Sequence, residues 1–245
     1  MARVSHSLLD PYLTVPLKRH YHQLPIPRSF PPEGLIALGH LSAILGGIGF
    51  VFSTTTWWGG LLAAAGVAGN HLADIFDGTH ARETGQCRHG GELLDHFTDP
   101  LSFSYWIAGL SIGIGQPELG IAGVIVLYAT AVLTNIKAKL TGEFALSAFG
   151  PTEFKSLLVL WGLCLALLSG LTSAALVASV AFWGYVTLLS VGVVQLIMGL
   201  MLGVREVNQL TAAPDTEEWV TVRDDANQSG LPGDPAVSQC QRRSA

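Results

Sequence analysis

The sequence predicts an all-α, polytopic membrane protein: a bundle of six transmembrane helices with an N-terminal interfacial amphipathic helix. Three observations predict it. The chain is poor in charge, with 13% Asp, Glu, Lys and Arg against 49% hydrophobic residues, whereas an ordinary soluble domain carries about 25% charged residues. Six apolar stretches approach the ~20 residues that a helix needs to cross a bilayer core. The basic residues are confined to alternate connections between those stretches. The net charge of -5 is too unevenly placed to indicate a partner, and no nucleic acid is expected.

Taken in order, residues 1–32 form a cytoplasmic N-terminal segment. Within it, residues 8–24 mix Lys18, Arg19, His20 and His22 with Leu, Tyr and Val, the composition of a helix lying on the inner leaflet. Pro11 and Pro16 interrupt it, so a disordered tail is the alternative. Residues 33–206 hold the six apolar stretches, at 34–52, 57–76, 93–114, 119–140, 154–169 and 174–202. Helices are the natural choice, because lipid cannot satisfy a backbone amide. Small residues such as Ala63-Ala64-Ala65-Gly66 and the series Gly109, Gly113, Gly115 allow close packing where lipid gives no hydrophobic drive between helices. Residues 207–245, rich in Pro, Gly, Asp and Gln, read as a disordered cytoplasmic tail. Cys87, Cys164 and Cys240 are too scattered for a zinc site or a disulfide framework.

All 13 Lys and Arg lie in the N-terminal segment, the second and fourth connections with their flanks, or the C-terminal side. The connections at 53–56, 116–118 and 170–173 contain none. By the positive-inside rule both termini face the cytoplasm, and the expected location is a bacterial plasma (inner) membrane.

The chemistry concentrates in residues 70–100, NHLADIFDGTHARETGQCRHGGELLDHFTDP. Asp74 and Asp77 are three residues apart, and Asp95 and Asp99 four apart, so each pair occupies one helical face. Two antiparallel helices can bring the faces together. Acids at the ends of apolar spans are expected to be paired, metal-bound or functional, and Arg82 and Arg88 are too few to neutralise four of them. One or two divalent metal ions would do so, and an all-oxygen ligand set suits Mg²⁺ or Mn²⁺. Gly78 and Gly91 allow close approach of a ligand to the backbone, and Arg82 can hold a phosphate oxygen with paired donors. An EF-hand calcium loop does not fit, because its twelfth position would be Gly85 or Arg88 rather than Glu.

These residues spell D-x2-D-G-x2-A-R-x8-G-x3-D-x3-D, carried by Asp74, Asp77, Gly78, Ala81, Arg82, Gly91, Asp95 and Asp99. The chain resembles the CDP-alcohol phosphotransferases over about residues 34–204. The resemblance implies a metal-dependent enzyme in which Asp74, Asp77 and Asp95 hold a metal pair and Asp99 contributes to the second ion. Gly78, Ala81, Arg82 and Gly91 would line the site for the CDP-linked substrate. Asp99 would also accept the proton of the acceptor hydroxyl, which attacks the phosphorus beyond the cytidylate so that CMP leaves.

Two further stretches narrow the expectation. Gly91-Glu92-Leu93-Leu94-Asp95-His96 and Gly150-Pro151-Thr152-Glu153 are similar to segments of the choline and ethanolamine phosphotransferases. That similarity implies transfer from a CDP-choline-like or CDP-ethanolamine-like donor to a lipid alcohol such as diacylglycerol, in phospholipid biosynthesis. The alternative in the same family is a CDP-diacylglycerol donor with a small soluble alcohol, and the non-enzyme rival is a divalent-cation transporter. His96 is expected either to share in catalysis or to cap a neighbouring carbonyl. Glu153 either meets a cationic head group or pairs with Lys155. His71 and His80 are expected to support the motif or to face solvent, and Lys137 and Lys139 to reach lipid phosphates. Membrane lipids and a second copy of the chain complete the expected partners.

Overall fold

The structure, a computed structural model, describes residues 2–147 and 149–210. The expected tail lies almost wholly outside the described residues, and Cys240 with it. A compact unit covers Met1–Gln209. Its described residues form seven α-helices: α1 (Thr14–Arg19), α2 (Pro32–Phe52), α3 (Trp57–Thr84), α4 (His89–Gly113), α5 (Pro117–Thr141), α6 (Pro151–Leu171) and α7 (Ala174–Val207). Two four-residue strands, β1 (Ala2–Ser5) and β2 (Glu143–Leu146), pair in parallel with Ala2 opposite Glu143.

The six long helices coincide with the six apolar stretches. Local chemistry sets their ends. Proline opens α2, α5 and α6 in the first turn, where its missing N–H costs nothing. Thr56 and Ser173 accept backbone N–H groups at the starts of α3 and α7. Gly85, at φ 73°, closes α3 in the left-handed region.

Four helices, α2, α5, α6 and α7, are long and apolar enough to cross a membrane. The outer surface agrees: Leu160, Leu167, Ile121 and Trp183 are all more than 60% exposed, an arrangement that water would not favour but lipid does. Helices α3 and α4 have the length but not the apolarity, because α3 carries Asn70, His71, Asp74 and Asp77 and α4 carries Asp95, His96 and Asp99. The bundle of long helices is therefore all-α, and the acids of α3 and α4 line a cavity inside it.

Packing relies on small residues. Helix α2 lies against both α3 and α4. A Cβ on Gly66 would run into the Gly46 backbone, and one on Gly47 would come within 2.9 Å of the Tyr105 carbonyl. The closely packed interior gathers Phe50, Val67, Trp106, Leu165, Val177 and Tyr185. Trp106 buries its indole completely and donates Nε1–H to the Ala43 carbonyl at 2.9 Å.

The N-terminal segment departs from the single amphipathic helix expected over 8–24. Only Thr14–Arg19 is α-helical, followed by a 3₁₀ turn at Tyr21–Gln23. Pro16 falls in the first turn of α1, where it is tolerated, and Pro11 precedes the helix. The two strands were not foreseen. They form because residues 2–5 lie beside the segment that follows α5, and each supplies the other's backbone partners.

Candidate active site

Asp74 and Asp77 stand on α3, one turn apart, and Asp95 and Asp99 stand on α4. The antiparallel crossing brings ligand oxygens of Asp74, Asp95 and Asp99 within 4.8 Å of one another. Asp77 is nearly buried, and its Oδ1 accepts the Gly78 N–H. It lies outside this tight group but lines the same cavity. Three carboxylate oxygens in one place, all of hard character, fit a Mg²⁺ or Mn²⁺ ion.

The cavity measures about 650 Å³. It is lined by the four aspartates, Gly78, Arg82 and His96, and by side chains of α5 and α7, both apolar, such as Val126, Leu127 and Leu189, and polar, such as Thr130, Asn135 and Gln195. Arg82 folds back over Gly78: a Cβ there would meet Nη1 at 3.3 Å. Neither Ala81 nor Gly91 lines the cavity. His96 faces β2, with its ring edge-on to Phe144 at 5.3 Å between centroids. His71 also lines the cavity, and neither of its buried ring nitrogens has a hydrogen-bond partner.

Lys155 is the residue that the sequence reading misjudged. It does not pair with Glu153. Its side chain is 0% exposed, and Nζ donates to Asp74 Oδ2 at 2.8 Å and to Asp99 Oδ1 at 3.3 Å. The ammonium also lies 5.4 Å from the Phe103 ring centroid. The sequence did contain a signal, since a lone lysine one turn into an apolar span must find acids.

Glu153 is engaged elsewhere. Its Oε1 accepts from Ser7 Oγ at 2.6 Å and the Leu9 N–H at 2.9 Å, and its Oε2 accepts the Gly150 N–H at 2.9 Å. It does not line the cavity, whereas Gly150, Pro151 and Thr152 do. Beside it, Asp10 accepts from Thr14 and Thr152 through Oδ1 and from Ser5 through Oδ2. Burial acts to raise the Asp10 carboxyl, but hydrogen bonds from Ser5, Thr152 and Thr14 and the charge of Lys18 outweigh it and hold it below its usual value.

These contacts fasten residues 5–14 to the start of α6. Asp10, Thr14 and Lys18, spaced four apart, then face the cavity. Further along, His80 donates Nε2–H to the Phe30 carbonyl at 2.8 Å, so Nδ1 accepts the Tyr21 hydroxyl at 2.6 Å. His80 is thus a fully buried tie between α3 and the N-terminal segment. Lys137 lines the cavity and pairs with Glu206 at 2.6 Å.

Comparison with known proteins adds two findings. A family model described as CDP-alcohol phosphatidyltransferase matches residues 36–208. A protein named phosphatidylinositol phosphate synthase, from Mycolicibacterium smegmatis (strain ATCC 700084 / mc(2)155), is 31% identical over 112 residues, which cover 44% of this chain and 49% of the relative. The chain thus matches about half the length of that relative.

Proposed function

The chain belongs to the CDP-alcohol phosphatidyltransferase family, and we propose that it transfers a substituted phosphate group from a CDP-linked donor to an alcohol, with one substrate a lipid. The observation that carries this reading is the joining of two surfaces in one cavity. Asp74, Asp95 and Asp99 converge in it, and apolar side chains of α5 and α7, among them Val126, Leu127, Leu188, Leu189 and Leu196, line the same cavity. A nucleotide diphosphate suits the first and acyl chains suit the second.

In this mechanism Asp74, Asp77, Asp95 and Asp99 would hold Mg²⁺ or Mn²⁺. The chemistry supplied by the bound ions is neutralisation of the diphosphate and of the charge that develops as its bond breaks. Arg82 adds paired donors for a phosphate oxygen. Asp99 takes the proton of the acceptor hydroxyl as that oxygen bonds to phosphorus. The phosphoanhydride bond then breaks and CMP leaves.

A CDP-choline or CDP-ethanolamine donor with diacylglycerol is the favoured pair. Its support is the convergence of two distant motif stretches, since His96 and residues 150–152 line one cavity. With Glu153 turned to Ser7 and Leu9, the acids left facing that cavity from this side are Asp10 and Glu143. The second reading, CDP-diacylglycerol with a soluble alcohol, is favoured by the relative's name and by Lys18 and Lys137 at the cavity. In either, α2–α7 all cross the bilayer, α1 rests on the cytoplasmic leaflet, and the site opens to the cytoplasm.

CMP release from the purified chain in lipid vesicles distinguishes these. CDP-choline, CDP-ethanolamine and CDP-diacylglycerol are offered in turn, each with its acceptor, in Mg²⁺, Mn²⁺ or EDTA. We expect metal-dependent release with a CDP-aminoalcohol and diacylglycerol. Turnover of CDP-diacylglycerol alone transfers the assignment to the second reading. Undiminished release in EDTA, or none from any donor, overturns the proposal.

A further inference from the structure

We infer that Lys155 is a built-in cation that competes with the metal for Asp74 and Asp99, keeping the acid cluster assembled before the ion arrives. The inference rests on the metal-binding reading above but concerns a residue to which that reading gives no role.

The argument begins with burial. A lysine ammonium is rarely taken fully out of solvent unless its charge is matched. Lys155 is 0% exposed, and its two ion-pair partners are candidate metal ligands on two different helices. Among the described residues it is the only Lys or Arg paired with any of the four motif aspartates. The Phe103 ring at 5.4 Å gives the ammonium an aromatic face on another side. It is therefore a seated charge rather than a surface lysine resting near acids.

Consider what the cluster does without it. Three carboxylates whose oxygens lie within 4.8 Å repel strongly where water is scarce. Helices α3 and α4 would be pushed apart at their charged ends. Lys155, delivered by α6, cancels part of that repulsion and ties all three helices at one point. Helix α6 packs extensively on α3, so the ammonium is supplied from a rigid element.

The same geometry sets up competition. Asp74 Oδ2 and Asp99 Oδ1 direct lone pairs at Nζ, and an oxygen that accepts from an ammonium is less available to a metal. A divalent ion in the cluster would also be repelled by the ammonium. The ion must therefore either displace Nζ or bind the remaining oxygens beside a like charge, and both lower its affinity. The site trades metal affinity for a preformed pocket.

The test is Lys155→Met in the full chain, in lipid nanodiscs, read by Mn²⁺ titration and by thermal melting in EDTA and in Mn²⁺. Wild-type protein should stay folded in EDTA. Lys155→Met should melt earlier in EDTA and recover in Mn²⁺. It should bind Mn²⁺ tighter by at least about 10-fold, because a unit charge has been removed a few ångströms from a divalent ion. A lysine serving only as a structural tie would lower both melting points and leave Mn²⁺ affinity unchanged or weaker. That result overturns the inference, as does wild-type unfolding in EDTA.

If Lys155→Met does not fold in either condition, the double variant Lys155→Met/Asp99→Asn is read instead. It removes one charge of each sign and should fold in EDTA. Failure to do so overturns the inference. No Mn²⁺ binding by wild-type protein strikes at the metal reading itself, and so separates the two failures.

Discussion

Asp99 faces two demands at once. It lies in the tight acid group with Asp74 and Asp95, and its Oδ1 already accepts from Lys155 at 3.3 Å. A carboxylate that accepts a substrate proton must keep an oxygen open to the cavity, and the Asp99 side chain retains 30% of its exposure. Asp99→Asn preserves size but removes the base. We expect turnover to fall by at least ~10²-fold, the low end of general-base effects, with CDP-ligand affinity nearly kept. Asp77→Asn should weaken ligand binding as well. Single-turnover rates and equilibrium binding of a CDP ligand separate the two, and near-normal turnover in Asp99→Asn would remove the base assignment. At this scale the spacing made the convergence of Asp74, Asp95 and Asp99 legible, but not that Asp77 stands outside the tight group or that Ala81 and Gly91 miss the cavity. Lys155 was not legible either, because its partners lie 81 and 56 residues away and only tertiary packing joins them.

At the scale of elements, the N-terminal strap is the unforeseen part. Its local signals conflict: cationic amphipathic composition suggests a helix, and two prolines oppose one. Long-range contacts decide the outcome, namely the β1–β2 ladder, Glu153 with Ser7 and Leu9, and Asp10 with Thr152. None is visible in a window of neighbours. The strap places Lys18 and Thr14 on the cavity, so loosening it should alter the site without touching the aspartates. Asp10→Ala should speed amide exchange over residues 5–14 by at least about 10-fold and raise the donor KM, with Mn²⁺ affinity unchanged. Unchanged exchange would show that the strap holds without Asp10. Because the folded Asp10 carboxyl sits below its ordinary value of about 3.9, its contribution is complete above that value. It disappears as pH falls through the folded value, so the protection of amides 5–14, corrected for the intrinsic pH dependence of amide exchange, should be level from pH 5 to 8.

For the whole molecule, the six apolar stretches foretold six long helices, and composition alone marked a membrane protein. The two helices that fall short in apolarity are the two that carry the acids, so the departure and the chemistry have one cause. The orientation expected from the lysine-free and arginine-free connections can be tested directly. Single cysteines placed at the exposed positions Thr55 and Leu171 should react with a membrane-impermeant maleimide on intact cells. Native Cys87, exposed in the turn between α3 and α4, should react only after the membrane is opened. Reaction of Cys87 from outside would invert the topology.

The clasp between Glu153 and Ser7 also has a consequence for synthesis. The two residues are separated by 146 positions. At the usual ~5–20 residues per second of translation, Ser7 leaves the ribosome on the order of ten seconds before its partner exists. During that interval α2 to α5 can enter the bilayer, while the strap has neither β2 nor the start of α6 to hold. The clasp and Lys155 thus join the site after its four aspartates and before its α7 wall, and a nascent chain arrested before α6 would carry all four aspartates with neither the clasp nor Lys155.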